Sequence, residues 1–350
     1  QFPENPRDDQ IGETSSPGRT PAIESESPVQ DVNPYSSSAG FGQDPFEAQE
    51  LTSSEPSVGV VPRIWTPVAM IGLSLIVYLV ASFVMAIVAV YVVHGGFDVK
   101  LLTDPQSLAD VMRSPKGLPL MVVVPQLFLV VPCLLAAAFS ADGFFKRLSL
   151  VRGSWPVWGW FAAAVATPLV GMISSILVGL LVDESENLRE LSEVFHELGN
   201  AGFLIPLIAM IAVTPAFCEE LLFRGYVQTR LVAAMPAWVG ILVSSVVFAG
   251  FHVDPVHVIS VFPLGFYLGL VAWHSGTIFP AILGHFINNA FSVVLVTLGT
   301  AEEAGEVLAA PAIGFMLVII GFGFVGGLGT LAIVATRRPS SPLFQTQPIT

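Results

Sequence analysis

Charge is scarce in this sequence. Only 12% of its 350 residues are Asp, Glu, Lys or Arg, about half the roughly 25% of an ordinary soluble domain. So few charges over so long a chain exclude a water-soluble globule, so much of the chain must face lipid. Basic residues are rarer than acidic ones, 14 against 27, and no nucleic-acid partner is expected. Cysteine is almost absent. Cys133 and Cys218 are too few for a disulfide framework or a cysteine-based zinc cluster, and both sit in apolar surroundings as small buried hydrophobes would.

The charges that exist are unevenly spread. Residues 1–60 hold 11 acidic residues and two basic ones, Arg7 and Arg19, in a Pro-, Ser-, Gly- and Gln-rich setting. Such a segment cannot bury enough apolar surface to offset its chain entropy, so a disordered acidic tail is expected. It accounts for most of the net charge of -13. The first apolar run starts after Val60 and is too long for a secretory signal, so it is expected to persist as a span.

Crossing ~30 Å of hydrocarbon takes about 20 apolar residues. By that ruler about eight spans are expected, near residues 65–93, 118–139, 155–182, 203–219, 237–251, 256–273, 278–298 and 313–335. The fold class is all-α, a multi-pass transmembrane helix bundle. The organisation is a tail (1–60), N-terminal transmembrane helices (61–200), a core that carries the chemistry (201–300), and a last helix with a short tail (301–350). Trp65, Trp155, Trp158, Trp160 and Trp273 fall near span ends, where an aromatic belt would place them. With eight spans both termini share one side. That side carries Arg63, Lys146, Arg147, Arg152, Arg224, Arg230, Arg337 and Arg338, against Lys100, Arg113, Lys116 and Arg189 on the other. Eight against four favours cytoplasmic termini, and the plasma membrane of a prokaryote is the expected location.

Three short segments break the apolar pattern at membrane depth. The first is Cys218-Glu219-Glu220-Leu221-Leu222-Phe223-Arg224. A central charge costs at least ~2.5 kcal/mol on insertion scales, so two adjacent carboxylates need a reason. Glu220 and Arg224 stand at i and i+4 in the favourable order, and Arg224 can hold Glu220. Glu219 points about 100° away and is free for other work. The second segment is Phe248-Ala249-Gly250-Phe251-His252, with Phe248 one turn before the imidazole. The third is His285-Phe286-Ile287-Asn288-Asn289, where His285 and Asn289 project from one face and Asn288 points elsewhere. Each segment alone has a structural explanation: an interfacial ion pair, a bonded helix-end histidine, or interhelical hydrogen bonding. One site explains all three. A carboxylate aided by an imidazole can take a proton from water, and a second imidazole with an amide can stabilise an oxyanion.

These segments resemble the EExxxR, FxxxH and HxxxN motifs of the CAAX-protease and bacteriocin-processing (CPBP) family, intramembrane glutamic peptidases that include the Ras-converting CAAX prenyl endopeptidase. The resemblance covers about residues 203–298. It implies an all-α membrane bundle with a cavity open to the cytoplasm, and an intramembrane endopeptidase without a cofactor. It also implies Glu219 as general base, His252 positioning water, His285 and Asn289 as the oxyanion hole, and Glu220, Arg224 and Phe248 in support. A peptide or protein substrate is expected, membrane-anchored or prenylated, with the lipid bilayer as the other partner.

Rival chemistries fit less well. The nearest approach to HExxH is His196-Glu197-Leu198-Gly199-Asn200, which ends in Asn and lies in a polar connection. No GxSG serine is present, and Asp254 is the one aspartate near a span. Glu219, His252 and His285 could instead ligate zinc as a two-His, one-carboxylate set. A non-catalytic scaffold or immunity factor that keeps the motifs for packing is the other alternative. Depth poses a problem. His252 lies about 15 residues, or ~22 Å, into the fifth span, whereas Glu219 closes the fourth at the opposite face. Either residues 225–236 dip into the bilayer or Pro215 breaks the fourth span.

Overall fold

The computed structural model describes residues 64–96, 98–299 and 310–339. The expected acidic tail, the acidic connection at 301–306 and the C-terminal tail lie outside the described residues. Within them the secondary structure is helical, with no strand.

In chain order, α1 (Trp65–His94) is followed by two short polar helices, α2 (Val99–Thr103) and α3 (Pro105–Arg113). Then come α4 (Gly117–Ala138), the single turn α5 (Phe144–Arg147), α6 (Val157–Gly179) and the amphipathic α7 (Glu186–Leu198). A kink at Gly202, with φ 86°, leads into one long helical rod. The rod runs through α8 (Leu204–Ile208), α9 (Thr214–Glu220) and α10 (Thr229–Ala234), joined by π-helical stretches at Ala209–Val213 and Leu221–Gln228. After it come α11 (Ala237–Gly250), α12 (Pro255–Ser275), α13 (Phe279–Leu298) and α14 (Ala310–Thr336).

Among the described residues seven helical stretches are long and apolar enough to cross a membrane, one of them Glu186–Ala234 with its kink at Gly202. The expected fifth span, α11, has 14 residues. At 1.5 Å per residue it reaches about 21 Å, short of the ~30 Å hydrocarbon core. Side-chain bonds show which connections share an end of the bundle. Arg113 pairs with Glu197 at 2.9 Å, joining the connection before α4 to α7. Arg337 donates to the Ser154 carbonyl at 2.8 Å, joining the end of α14 to the segment before α6.

The rod resolves the depth problem at one of the two expected places, since residues 225–234 continue as largely buried helix. The fourth span does not stop at Glu219; helix continues to Ala234. Glu219 is therefore about 15 residues from the end of the rod, and His252 is about 15 residues from the start of α11, the helix that turns back from it. The two residues come to the same level from the same end. Arg224, Gln228 and Thr229 look like loop residues in sequence, but all three are buried against neighbouring helices.

The aromatic belt also needs correction. Trp65 and Trp158 are exposed, but Trp155 is buried, its Nε1 donating to His274 Nδ1 at 3.0 Å. Cys133 and Cys218 are free thiols in the core, as their surroundings implied. The main apolar cluster, with Met70, Leu129, Leu222, Phe223 and Phe248, fastens α1 and α4 to the rod and α11.

Candidate active site

The site begins with the local geometry of the rod. Pro215, near the start of α9, has no N–H for a helical bond, and the preceding turn is π-helical, with Thr214 Oγ1 donating to the Ala209 carbonyl at 3.2 Å. A second π-helical stretch follows Glu220 directly. Such irregular turns are frequent at functional sites. Here they carry Glu219 and Glu220 into the interior, with 8% and 0% of their surface exposed.

Glu220 takes two donors on one oxygen, and its Oε2 is buried without a hydrogen-bond partner among the described residues. Its Oε1 accepts from Arg224 Nη1 at 2.8 Å and from His285 Nδ1 at 2.9 Å. Arg224 Nη2 donates to the Gly265 carbonyl at 2.8 Å, and its guanidinium lies 4.2 Å over the Phe248 ring. Glycine at 265 permits that approach: a Cβ there would meet Phe248 Cδ1 at 2.7 Å and Arg224 Nη2 at 3.4 Å. Gln228 repeats the arrangement one turn on, donating to the Gly269 carbonyl at 2.9 Å. Two carbonyls of α12 thus accept from polar side chains of the rod.

Glu219 is held differently. Its Oε1 accepts from Gln126 Nε2 of α4 at 3.0 Å. Its Oε2 is buried without a hydrogen-bond partner among the described residues, and His285 Nε2 lies 3.9 Å from it. His285 therefore stands between two carboxylates, with one nitrogen on each. An ionised carboxylate only accepts, so Glu220 fixes the proton on Nδ1 and turns Nε2 toward Glu219.

Phe248 organises the histidines. Its ring meets His252 edge-to-face at 5.2 Å and His285 at 5.9 Å. His252 lies in the turn after α11, with Nδ1 3.3 Å from the Phe248 carbonyl and its ring 4.7 Å from that of His257. No direct hydrogen bond joins it to Glu219 among the described residues. Val253, with φ 62°, gives the turn its left-handed step. Asp254 then caps α12 by accepting from the N–H groups of Val256 and His257, both at 3.0 Å. The Ser185 hydroxyl beside it, together with those N–H groups, holds the Asp254 carboxyl below the usual carboxylate range.

Asn289 lies one turn beyond His285 on α13. Its Nδ2 donates to the Ile211 carbonyl in the first π-helical stretch at 3.1 Å, and its Oδ1 accepts from Asn288 at 3.2 Å. An amide nitrogen carries two hydrogens, so one remains for another acceptor. Asn288, set aside in the sequence reading, is the more buried of the pair and packs on Gly171, where a Cβ would meet its Oδ1 at 2.4 Å.

The structure thus brings Glu219, Glu220, Arg224, Phe248, His252 and His285 together and places Asn289 at the edge of the group. Sequence reasoning missed Gln126, Gln228 and the two glycine carbonyls. The four-residue spacing of Gly265 and Gly269 was the available signal. The HExxH-like segment is structural: His196 bonds the Val296 carbonyl and Asn200, and Glu197 bonds Arg113. For zinc, the donor set Glu219, His252 and His285 fits poorly. Among the described residues no three His, Cys, Asp or Glu side chains converge to hold a metal, and one nitrogen of His285 is engaged by Glu220.

Residues 201–291 match the family model described as "Type II CAAX prenyl endopeptidase Rce1-like". A curated protein of Bacillus subtilis (strain 168), named "Putative membrane peptidase YdiL", is 25% identical over 142 residues. That alignment covers 40% of this chain and 55% of the relative, so the chain spans about half the length of the curated protein it matches. No solved structure matches. The family match spans all three motif segments, 218–224, 248–252 and 285–289.

Proposed function

We infer that this chain, a member of the CPBP family, is an intramembrane endopeptidase that hydrolyses a peptide bond with water activated by Glu219. The observation that carries the reading is the asymmetry of the two adjacent carboxylates. Glu220 Oε1 accepts from the Arg224 guanidinium and from His285 Nδ1, whereas Glu219 has no cation bonded to it among the described residues, only the neutral amide of Gln126 on Oε1, and its unpartnered Oε2 lies 3.9 Å from His285 Nε2. One glutamate is architecture, and the other is poised to accept a proton.

In the proposed reaction, the water oxygen bonds to the scissile carbonyl carbon while its proton passes to Glu219 Oε2. His252 positions the water through Nε2, since its Nδ1 faces the Phe248 carbonyl. The oxyanion accepts from His285 Nε2–H and from the remaining N–H of Asn289. With Nδ1–H committed to Glu220, donation from His285 Nε2 uses the doubly protonated ring. As the C–N bond breaks, Glu219 returns its proton to the leaving nitrogen. No metal takes part in this scheme.

The substrate we propose is a membrane-anchored peptide or protein segment, and a prenylated one is the class named by the family model's description. Counting α11 as the return pass between the end of the rod and the start of α12 keeps the number of passes even, and we place both termini on the cytoplasmic side of a prokaryotic plasma membrane. Arg224 and Arg230 are buried in protein and drop out of the topology count, but the remaining basic residues keep the same bias. The test is a proteomic comparison of membranes holding the wild-type protein with membranes holding Glu219→Ala. Precursors should accumulate in the variant. Identical peptide profiles would count against the peptidase reading and favour a scaffold.

A further inference from the structure

Gln126 is an uncharged polar residue in the middle of α4, an otherwise apolar span. It follows Pro125, which removes a helical hydrogen bond at that level. Its Nε2 makes the 3.0 Å bond to Glu219 Oε1. An ionised carboxylate only accepts, so the amide nitrogen must face it and the amide oxygen must face away. That oxygen, Gln126 Oε1, is itself buried without a hydrogen-bond partner among the described residues. Two hydrogen-bonded side chains from different helices therefore present two buried, unpartnered acceptors, Gln126 Oε1 and Glu219 Oε2. Burying an unpaired acceptor costs about 1–3 kcal/mol, so a pair of them implies a donor that visits the site. Water brings two O–H donors.

We propose that Gln126 is a positioning residue for the hydrolysis, resting on the assignment of Glu219 as base. Its amide N–H fixes the Glu219 carboxylate so that Oε2 faces His285. Its carbonyl oxygen accepts the hydrogen of the attacking water that is not transferred. One O–H of the water breaks, its proton going to Glu219, and the oxygen's lone pair forms the new bond to carbon. The second O–H stays intact on Gln126 through that step. Gln126 neither gives nor takes a proton.

The test uses Gln126→Leu, close in volume and suited to an apolar helix, with Gln126→Asn, which keeps the amide but falls a methylene short. The first readout needs no substrate. The infrared carboxylate band of Glu219 in purified protein is isolated by subtracting the Glu219→Gln spectrum. It should shift in both variants as Oε1 loses its donor, while the unfolding midpoint stays near wild type. The second readout is cleavage of a precursor found in the membrane comparison. In both variants kcat should fall by roughly 10–100-fold, the loss of one hydrogen bond to a charged group, with KM little changed. An unshifted band, or a fall that appears only in KM, would overturn the role of Gln126. Failure of the wild-type protein to cleave any precursor would instead overturn the peptidase reading, and the infrared result would still decide whether Gln126 holds Glu219.

Discussion

Removing either partner of the buried pair Glu220–Arg224 should damage the protein more than removing both charges together. The pair is 0% and 1% exposed and bonded at 2.8 Å. Arg224→Leu takes away that bond, the bond to the Gly265 carbonyl and the cation over Phe248. Glu220 is left as a buried anion with His285 as its remaining partner. Stranding one member of such a pair costs about 3–5 kcal/mol. Glu220→Leu should cost a similar amount, since it strands the guanidinium and frees His285 Nδ1. The double variant Glu220→Leu/Arg224→Leu buries apolar groups in place of both charges, a change that is often close to neutral. Two single costs of about 3–5 kcal/mol against a near-neutral double variant correspond to a favourable coupling of about 6–10 kcal/mol, above the roughly 0.5–3 kcal/mol usual for contacting residues. The assay is equilibrium unfolding in mixed micelles by titration with a denaturing detergent, followed by circular dichroism. All three variants should lose cleavage, because the position of His285 depends on Glu220. Single-variant costs that add to within about 0.5 kcal/mol would refute the claim that these residues act as one buried unit.

Asn289→Ala removes one proposed oxyanion donor and should lower turnover by ~10²–10³ while leaving detectable activity; complete loss, or no change, in single-turnover cleavage would contradict that role. Purified protein should hold no stoichiometric metal by elemental analysis, and cleavage should survive chelation; activity lost to a chelator and restored by zinc would move Glu219 from base to ligand. A reporter fused after Arg338 should behave as cytoplasmic, and a signal from the opposite side would reverse the proposed orientation.

What the sequence disclosed and what it hid divide on physical lines. The Glu220–Arg224 pair was legible because i and i+4 side chains of one helix meet wherever that helix lies. The gathering of His252 and His285 around Phe248 was anticipated only because one site explained three polar interruptions. The length of the rod was not legible. Arg224, Gln228, Thr229 and Arg230 lower the hydropathy after Glu219, and a ruler built on hydropathy ends the span there, although those groups are buried among helices. The same ruler counted α11 as a full span, although its 14 residues reach only about 21 Å. Trp155 sat at a span end and looked interfacial, yet its nitrogen bonds a histidine 119 positions away. Gln126 was invisible for the same reason: its partner is 93 positions distant, and a lone glutamine in an apolar run gives no hint of what it meets.

The central claim is that Glu219, rather than the Arg224-bound Glu220, takes the proton from water. The direct measurement is cleavage of an identified precursor by wild-type and Glu219→Gln protein reconstituted side by side in proteoliposomes, with unfolding midpoints recorded for both. Glutamine keeps the size of the side chain and can still bond through its oxygen, but it cannot accept the proton. The expected result is uncut precursor with Glu219→Gln at an unfolding midpoint close to wild type. Cleavage by Glu219→Gln at the wild-type rate would contradict the mechanism.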